Sequence, residues 1–339
     1  MQPSGSDGAA TAVQTEPGRF DAAERLSRRV LVFTGLSGIA YLALAMWAGW
    51  SEVLQTMFQL GTGAVVLGMA VTVVSYLLRF ARWTLILKCM GHAPPLKSSL
   101  LIYLGGLALT ATPGKVGETV RSALLVRFNV PVAASLAAFF VDRLADLSGV
   151  LLLAGLTANR GSMWILIGLA IAALLAGIAL PAVAPYAFKQ LGRGARQSAR
   201  RARAATWLSA ASDHIRSAWR LRLIPVLLGV AMIAYGLQGL VFSEYALRLW
   251  PGLDHVRLLH QFLGSTLVGA ASMLPGGIGA MEASLIALLA NDGMPLASAV
   301  ATVIAIRAVT LWFGIALGVA SIAWGYNRPA AANGVNGYR

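Results

Sequence analysis

The sequence has little of what a soluble enzyme needs. Only 12% of its residues are charged, cysteine occurs once and histidine four times. The single cysteine, Cys89, excludes a disulfide within the chain and argues against thiolate metal sites, and the histidines lack metal-ligand spacing. No Walker loop, nucleophile elbow or dinucleotide fingerprint occurs in a suitable context. We therefore predict no catalytic residue, no metal and no cofactor.

Apolar residues are what the sequence has in abundance. They make up 58% of the 339 residues, and the mean hydropathy is +0.71. Several apolar runs approach the ~20 residues that a helix needs to cross a hydrocarbon core of about 30 Å. This composition predicts an all-α polytopic membrane protein. The net charge of +14 would suggest nucleic acid in a soluble protein, but the basic residues here cluster beside apolar runs, so no nucleic-acid partner is predicted.

The charges between the apolar runs predict the topology. The 189–222 loop holds nine Lys and Arg residues against one acid, Asp213, so we place it in the cytoplasm. Residues 1–29 are interpreted as a disordered cytoplasmic tail, 30–325 as the membrane domain and 326–339 as a second cytoplasmic tail. This topology is typical of a multi-pass protein of the bacterial inner membrane. Full spans are predicted at 30–50, 57–78, 133–156, 163–186, 223–245 and 298–324.

Two Pro-Gly breaks interrupt the remaining apolar stretches. The first follows 98–110, which at about 1.5 Å per residue is too short to cross the membrane. The second separates 256–273 from 278–290. Broken backbone is tolerated at membrane depth only inside protein or beside a wet cavity, so we predict two re-entrant helix pairs that enter from opposite faces. That arrangement is expected of an inverted repeat with a site near the midplane. The helix-breaking residues are Pro113, Gly114, Gly117, Pro275, Gly276, Gly277 and Gly279.

Ionisable side chains inside the predicted spans are candidates for function, because each costs roughly 2.5–3.5 kcal/mol to insert. Asp142 lies about 14 Å into the third span at 1.5 Å per residue, beside Arg143 and Asp146. These residues are either functional or a self-neutralising structural group. Arg307 lies at a similar depth in the last span, and Glu282 is its predicted partner. The sequence leaves two roles open for Arg307: it forms a structural salt bridge, or it contacts a lipid phosphate.

Three more charged residues, Lys115, Glu118 and Arg121, follow the first break. A helix that begins there presents free N–H groups and the positive end of its dipole, which suits a phosphate group. Alternatively, Lys115 and Arg121 extend to the cytoplasmic headgroups. Arg79 and Arg82 follow the predicted second span directly, so we interpret them as anchors at the membrane interface.

The charged residues and breaks together form an ordered series of motifs. The series resembles the lysylphosphatidylglycerol synthase transmembrane-region family, a flippase-like membrane domain found both fused to aminoacyl-phosphatidylglycerol synthases and alone. The resemblance covers about residues 30–325. The sequence shows no counterpart of the aminoacyl transferase domain of the fused enzymes, so lipid aminoacylation is not expected. The motifs are Thr112–Glu118 with Arg121, Val141–Arg143, Leu274–Gly279 with Glu282, and Arg307 before Trp312.

The resemblance implies a lipid flippase or transporter rather than an enzyme. The cargo would be a phospholipid, an aminoacyl-lipid or a glycolipid or isoprenoid lipid, and enzymes of lipid biosynthesis are possible partners. Two alternatives stay open: a membrane-embedded glycosyl or aminoacyl transferase, and a scaffold in lipid biosynthesis that transports nothing. The predicted lipid-binding residues are Lys115, Glu118, Arg121, Asp142, Arg143, Glu282 and Arg307.

Overall fold

The computed structural model describes residues 46–110, 116–191, 199–219 and 222–326, together with the isolated positions 39 and 43. The predicted N-terminal tail, most of the first span and the chain beyond 326 lie outside these residues. Every regular element in the described ranges is helical. The helices are α1 (Trp50–Gln59), α2 (Gly61–Cys89), α3 (Leu96–Ala108), α4 (Val116–Leu125), α5 (Val132–Thr157), α6 (Arg160–Leu191), α7 (Ala199–Ala218), α8 (Ile224–Leu249), α9 (His255–Ala271), α10 (Ala280–Asn291), α11 (Leu296–Arg307) and α12 (Phe313–Tyr326).

Four stretches of helix in the described ranges are long and apolar enough to cross a membrane. The last joins α11 and α12 through a π-helical turn, Ala308–Trp312. The chain is therefore a helical membrane protein, as its composition predicts. Helix α5 has 26 residues and coincides with the predicted third span, but three ionisable residues, Asp142, Arg143 and Asp146, lie in its middle. The four stretches are Gly61–Cys89, Arg160–Ala179, Ile224–Leu249 and Leu296–Trp324.

The second span lies further along the chain than the sequence predicts. Residues 50–59 form the separate short helix α1, and Gly61, with a φ of 75°, begins α2. Helix α2 then continues for 29 residues, through and beyond Arg79 and Arg82. Arg82 is only 1% exposed, so its prediction as an interfacial anchor is wrong. Its charge is neutralised inside the protein, which lets the helix continue.

Part of the basic 189–222 loop is folded. Helix α7 packs against both α5 and α6, so this segment does more than set the topology. The ring of His214 on α7 lies 5.7 Å from the ring of His92, in the turn after α2. Burial and the neighbouring His214 both lower the pKa of His92.

The centre of the fold is an antiparallel pair formed by α2 and α8. The Ser75 hydroxyl donates a hydrogen bond to the Ala234 carbonyl at 3.1 Å, and the Tyr245 hydroxyl donates to the Ala64 carbonyl at 3.1 Å. Helix α5 packs against both members of the pair. Each of these side chains caps a carbonyl of the facing helix, which fixes the register of the pair.

The two broken helix pairs pack in a reciprocal way. The order of a long helix, a broken pair and a long helix occurs twice, as α2, α3–α4, α5 and again as α8, α9–α10, α11–α12. Helix α3 packs against α12, whereas α9 packs against α5. Each broken pair therefore leans on a long helix from the other half of the chain. At 13 and 12 residues, α3 and α10 extend only about 20 Å.

The contact between α3 and α12 depends on Gly318. A Cβ atom at that position would lie 2.3 Å from the Ala108 backbone nitrogen and 2.7 Å from the Leu104 carbonyl oxygen. We expect Gly318→Ala to lower the free energy of unfolding by about 1–3 kcal/mol, because backbone rather than a flexible side chain must move. Thermal unfolding of the purified protein measures the change.

The matched control is Gly229→Ala in α8, where an added Cβ would have no atom within 4 Å. Alanine favours a helix over glycine by up to ~1 kcal/mol, so this variant should melt at or above the wild-type temperature. Equal melting temperatures for the two variants would contradict the close packing at Gly318.

Candidate functional site

A cavity of about 390 Å³ lies where the two broken pairs meet the long helices. Gly106, Thr110 and Arg121 line it from the first pair, and residues 273–277 line it from the second. The volume lies within the range of ~300–1,000 Å³ that is usual for small-molecule sites. Both broken pairs thus contribute to the wall of one chamber.

The cavity lies at mid-height in the bundle. Each long helix around it contributes residues from near its middle: Arg79 in α2, Arg143 in α5, Gln238 in α8 and Thr310 in the α11–α12 helix. A large cluster of buried apolar side chains lies on either side of this level. One cluster surrounds Phe242 and Leu285, and the other surrounds Trp83 and Val141.

The described residues that line the cavity include four arginines and no carboxylate. The arginines come from four different helices, so their convergence is a property of the fold rather than of one charged segment. Guanidinium groups have planar donors that match the geometry of phosphate or carboxylate, so the wall has the chemistry that an anion requires. The arginines are Arg79, Arg121, Arg143 and Arg307.

Aromatic rings hold two of these guanidinium groups in place. The Arg79 guanidinium lies 4.1 Å from the centre of the Tyr235 ring, and its Nη2 donates a long hydrogen bond of 3.5 Å to Gln238. The Arg121 guanidinium lies 4.6 Å from the Tyr103 ring and 4.9 Å from the Trp83 ring. A cation–π contact orients a guanidinium group without cancelling its charge.

The space for Arg121 exists because residue 106 is glycine. A Cβ atom at Gly106 would lie 2.6 Å from Nη2 of Arg121. That nitrogen also donates to the Tyr103 carbonyl at 3.3 Å. The glycine in α3 therefore admits the guanidinium group of α4 to the cavity wall.

A buried ion network lies directly behind Arg143. Arg82 donates from Nε to Asp142 at 2.9 Å and from Nη2 to Asp146 at 2.6 Å. The Arg143 guanidinium contacts the outer oxygens of the same two carboxylates, at 2.7 and 3.0 Å. The side chain of Arg143 is 42% exposed, whereas that of Arg82 is fully buried. The two aspartates are thus held between one structural arginine and one that faces the cavity.

The expected ion pair between Glu282 and Arg307 is present and fastens the second break. Arg307 Nε lies 2.5 Å from a Glu282 oxygen, and Nη2 donates to the Gly276 carbonyl at 3.0 Å. The other Glu282 oxygen accepts the backbone N–H of Gly279 at 2.7 Å. One buried pair therefore ties the broken segment at both ends to the last long helix.

The glycines of the second break are required by its geometry. Gly276, Gly277 and Gly279 all have positive φ angles, of 61°, 66° and 91°. Gly277 also approaches α9 so closely that a Cβ atom would lie 3.1 Å from the Gly269 Cα. Only glycine meets both conditions without strain. The Pro-Gly-Gly sequence thus encodes a tight turn against α9 at the edge of the cavity.

We expect Arg307→Lys to keep the charge but lose one of the two directed contacts. A lysine ammonium cannot reproduce the planar fork that reaches Glu282 and Gly276 together. A hydrogen bond to a charged group contributes about 1.5–3 kcal/mol, so the free energy of unfolding should fall by that amount. Thermal unfolding measures it, and Arg257→Lys, whose side chain is 59% exposed, is the control with the smaller expected loss. An unchanged melting temperature for Arg307→Lys would contradict the double role.

The structure brings together some predicted site residues and separates others. Arg121, Arg143 and Arg307 line the cavity, whereas Asp142 and Glu282 lie behind it as ion-pair partners. Pro113, Gly114 and Lys115, which the sequence predicts as helix-breaking and binding residues, lie outside the described residues. Gly117 and Glu118 belong to α4, but the side chain of Glu118 is likewise not described.

The polar residues of the cavity wall that sequence reasoning missed include Tyr76, Arg79, Tyr235 and Gln238. The Tyr76 hydroxyl donates to the Thr310 carbonyl at 2.7 Å, in the π-helical turn. Such turns often occur at functional sites. Tyr235 and Gln238 interrupt an otherwise apolar run three residues apart, and that polar face was the available signal.

Comparison with known proteins agrees with the motif series. No curated protein matches the chain. The family described as "Lysylphosphatidylglycerol synthase TM region" matches residues 30–318, which is most of the chain and includes every cavity-lining residue named above. The chain therefore belongs to the lysylphosphatidylglycerol synthase transmembrane-region family.

Proposed function

We propose that this protein is a lipid flippase or transporter of the bacterial inner membrane. The observation that carries the proposal is the arginine-lined cavity at mid-height in the bundle, where the two broken pairs meet the long helices. An anion-binding chamber at that depth suits a headgroup in passage across the bilayer. A site for chemistry at one surface would need reactive groups near one end of the helices. The acyl chains would stay in the lipid while the headgroup passes through the chamber.

The repeated helix order supports alternating access. We propose that the two broken pairs enter from opposite faces as an inverted repeat, with both termini in the cytoplasm. The reciprocal packing of α3 on α12 and of α9 on α5 fits that symmetry. A rocking motion of one half against the other would then open the cavity to each side in turn.

Each predicted binding residue has a role in this proposal. Arg79, Arg121 and Arg307 would contact the headgroup phosphate, and Arg143 would adjust its position. Lys115 and Glu118, near the first break, would contact the headgroup as it enters. Asp142 and Glu282 would act indirectly, because each holds an arginine in place.

The test is transport in vesicles. The full chain is reconstituted into phosphatidylglycerol-containing liposomes with a trace of fluorescent phosphatidylglycerol, and a membrane-impermeant quencher follows its movement between leaflets. We expect faster exchange than in protein-free vesicles prepared in parallel. The probes are fluorescent phosphatidylglycerol, aminoacyl-lipid and polyprenyl-phosphate lipids. If vesicles with and without the protein exchange each of them at equal rates, the proposal is contradicted. A new lipid product formed from an activated sugar or aminoacyl donor would favour the transferase alternative instead.

A further inference from the structure

The three described carboxylates near the cavity are outside its lining and are paired with other groups. Asp142 and Asp146 are occupied by Arg82 and Arg143, and Glu282 by Arg307 and the Gly279 N–H. All three acids are at most 4% exposed. Within the described side chains, no carboxylate is available to receive an ammonium group from a ligand in the chamber.

The positive charge of the chamber is not cancelled in the same way. Arg79 forms no ion pair with a described carboxylate; its contacts are the face of Tyr235 and the Gln238 amide. Arg143 lies over the Phe139 ring at 5.6 Å while it shares its two acids with Arg82. The network of Arg82, Asp142, Arg143 and Asp146 is neutral as a whole, and so is the Arg307–Glu282 pair. Among the described side chains, Arg79 therefore adds a positive charge to the chamber that no carboxylate pairs with.

Other polar groups on the wall are neutral. The side chains of Tyr76, Thr266 and Gln238 offer hydroxyl and amide groups that can bind hydroxyls of a ligand. Among the described side chains, a cationic amine in this chamber would meet the Arg79 guanidinium group and no carboxylate on the wall. Such like-charge juxtaposition is an effective means of excluding a partner.

We infer that the cavity selects lipids with an anionic phosphodiester headgroup that carries hydroxyls and no amine, and that it excludes aminoacylated headgroups. This inference rests on the proposed function, since it names the cargo class of the same site. The phosphodiester binds Arg79 and its neighbours, and the hydroxyls bind the neutral wall. Phosphatidylglycerol has this chemistry. Phosphatidylethanolamine carries one primary amine, and lysyl-phosphatidylglycerol carries two.

Equilibrium binding to the detergent-purified full chain tests the inference. The probes are short-chain phosphatidylglycerol, phosphatidylethanolamine and lysyl-phosphatidylglycerol, each titrated while intrinsic tryptophan fluorescence is followed. We expect phosphatidylglycerol to bind about tenfold or more tightly than lysyl-phosphatidylglycerol, the order of discrimination that like-charge repulsion gives. Equal or tighter binding of lysyl-phosphatidylglycerol would overturn the inference.

Charge reversal supplies the matched variants. Arg79→Glu should weaken phosphatidylglycerol binding and remove the preference over the lysyl lipid, and Arg79→Gln should give an intermediate result. Arg248→Glu, on an exposed side chain outside the cavity lining, should leave the preference intact. A preference that survives both Arg79 variants would place selection elsewhere and overturn the inference.

Selective binding without vesicle transport would refute the proposed function alone, and transport with a preference for the lysyl lipid would refute the inference alone.

Discussion

Replacing Arg82 with methionine is expected to destabilise the protein more than any other single substitution considered. The side chain of Arg82 is fully buried and contacts both Asp142 and Asp146 at 2.6–2.7 Å. Arg82→Met leaves two buried carboxylates with Arg143 alone. Removing one partner of a buried ion pair costs about 3–5 kcal/mol, so the variant should show a large fall in melting temperature or fail to accumulate.

Two comparisons separate this cause from the loss of packing. Arg248→Met removes an arginine that is 44% exposed, and its ion pair with Glu244 should contribute only ~0–1 kcal/mol. Adding Asp142→Asn and Asp146→Asn to Arg82→Met removes the uncompensated charges and should recover part of the lost stability. If Arg82→Met is as stable as Arg248→Met, the buried network has no structural role.

Arg79→Gln is expected to have the largest effect on transport. Glutamine keeps hydrogen-bonding capacity but removes a cavity arginine that forms no ion pair with a described carboxylate. A charge-assisted bond to phosphate contributes about 1.5–3 kcal/mol, and 1.4 kcal/mol corresponds to about tenfold. The initial rate of phosphatidylglycerol movement in vesicles should therefore fall about tenfold or more. The melting temperature should change little, because no buried carboxylate loses its partner.

Arg248→Gln is the matched control, since it removes the same charge from a site outside the cavity lining. Its transport rate should equal that of the wild type when equal amounts of protein are reconstituted. A wild-type rate for Arg79→Gln would remove Arg79 from the proposed site. A slow rate combined with a lowered melting temperature would point to a folding defect instead.

The second half of the chain was the easier half to predict. The broken pair predicted at 256–273 and 278–290 corresponds to α9 and α10. The ends of these helices lie about one or two residues from the predicted ends. The breaking residues, Pro275 to Gly279, stand inside strongly apolar sequence, so their helix-ending chemistry is unambiguous. The Glu282–Arg307 pair was predictable as well, because a lone buried arginine needs a nearby acid.

The end of the second span was not predictable from hydropathy. A charged residue normally ends an apolar run, so Arg79 and Arg82 were assigned to the interface. The helix continues because Asp142 and Asp146, about 60 residues later in the chain, neutralise Arg82. That partnership depends on how α2 packs against α5, which local sequence does not report. The same error hid Arg79 from the list of site residues, since it moved the residue from mid-helix to a helix end.

The sign of the cavity's charge was also beyond sequence reasoning. Asp142 and Glu282 were candidates to receive a cationic headgroup as readily as arginines were candidates for a phosphate. Only side-chain pairing decides which charges face the chamber. Asp142 and Glu282 are paired behind the wall, whereas Arg143 and Arg307 line the cavity.

The most direct test of the central claim is to locate the headgroup by photo-crosslinking. Phosphatidylglycerol with a diazirine on its headgroup glycerol is reconstituted with the full chain, illuminated and mapped by peptide mass spectrometry. We predict adducts on cavity residues such as Tyr76, Tyr235 and Met273 that disappear when excess unlabelled phosphatidylglycerol is present. Adducts confined to outward-facing residues such as Trp164 and Ile165, with none in the cavity, would contradict the account.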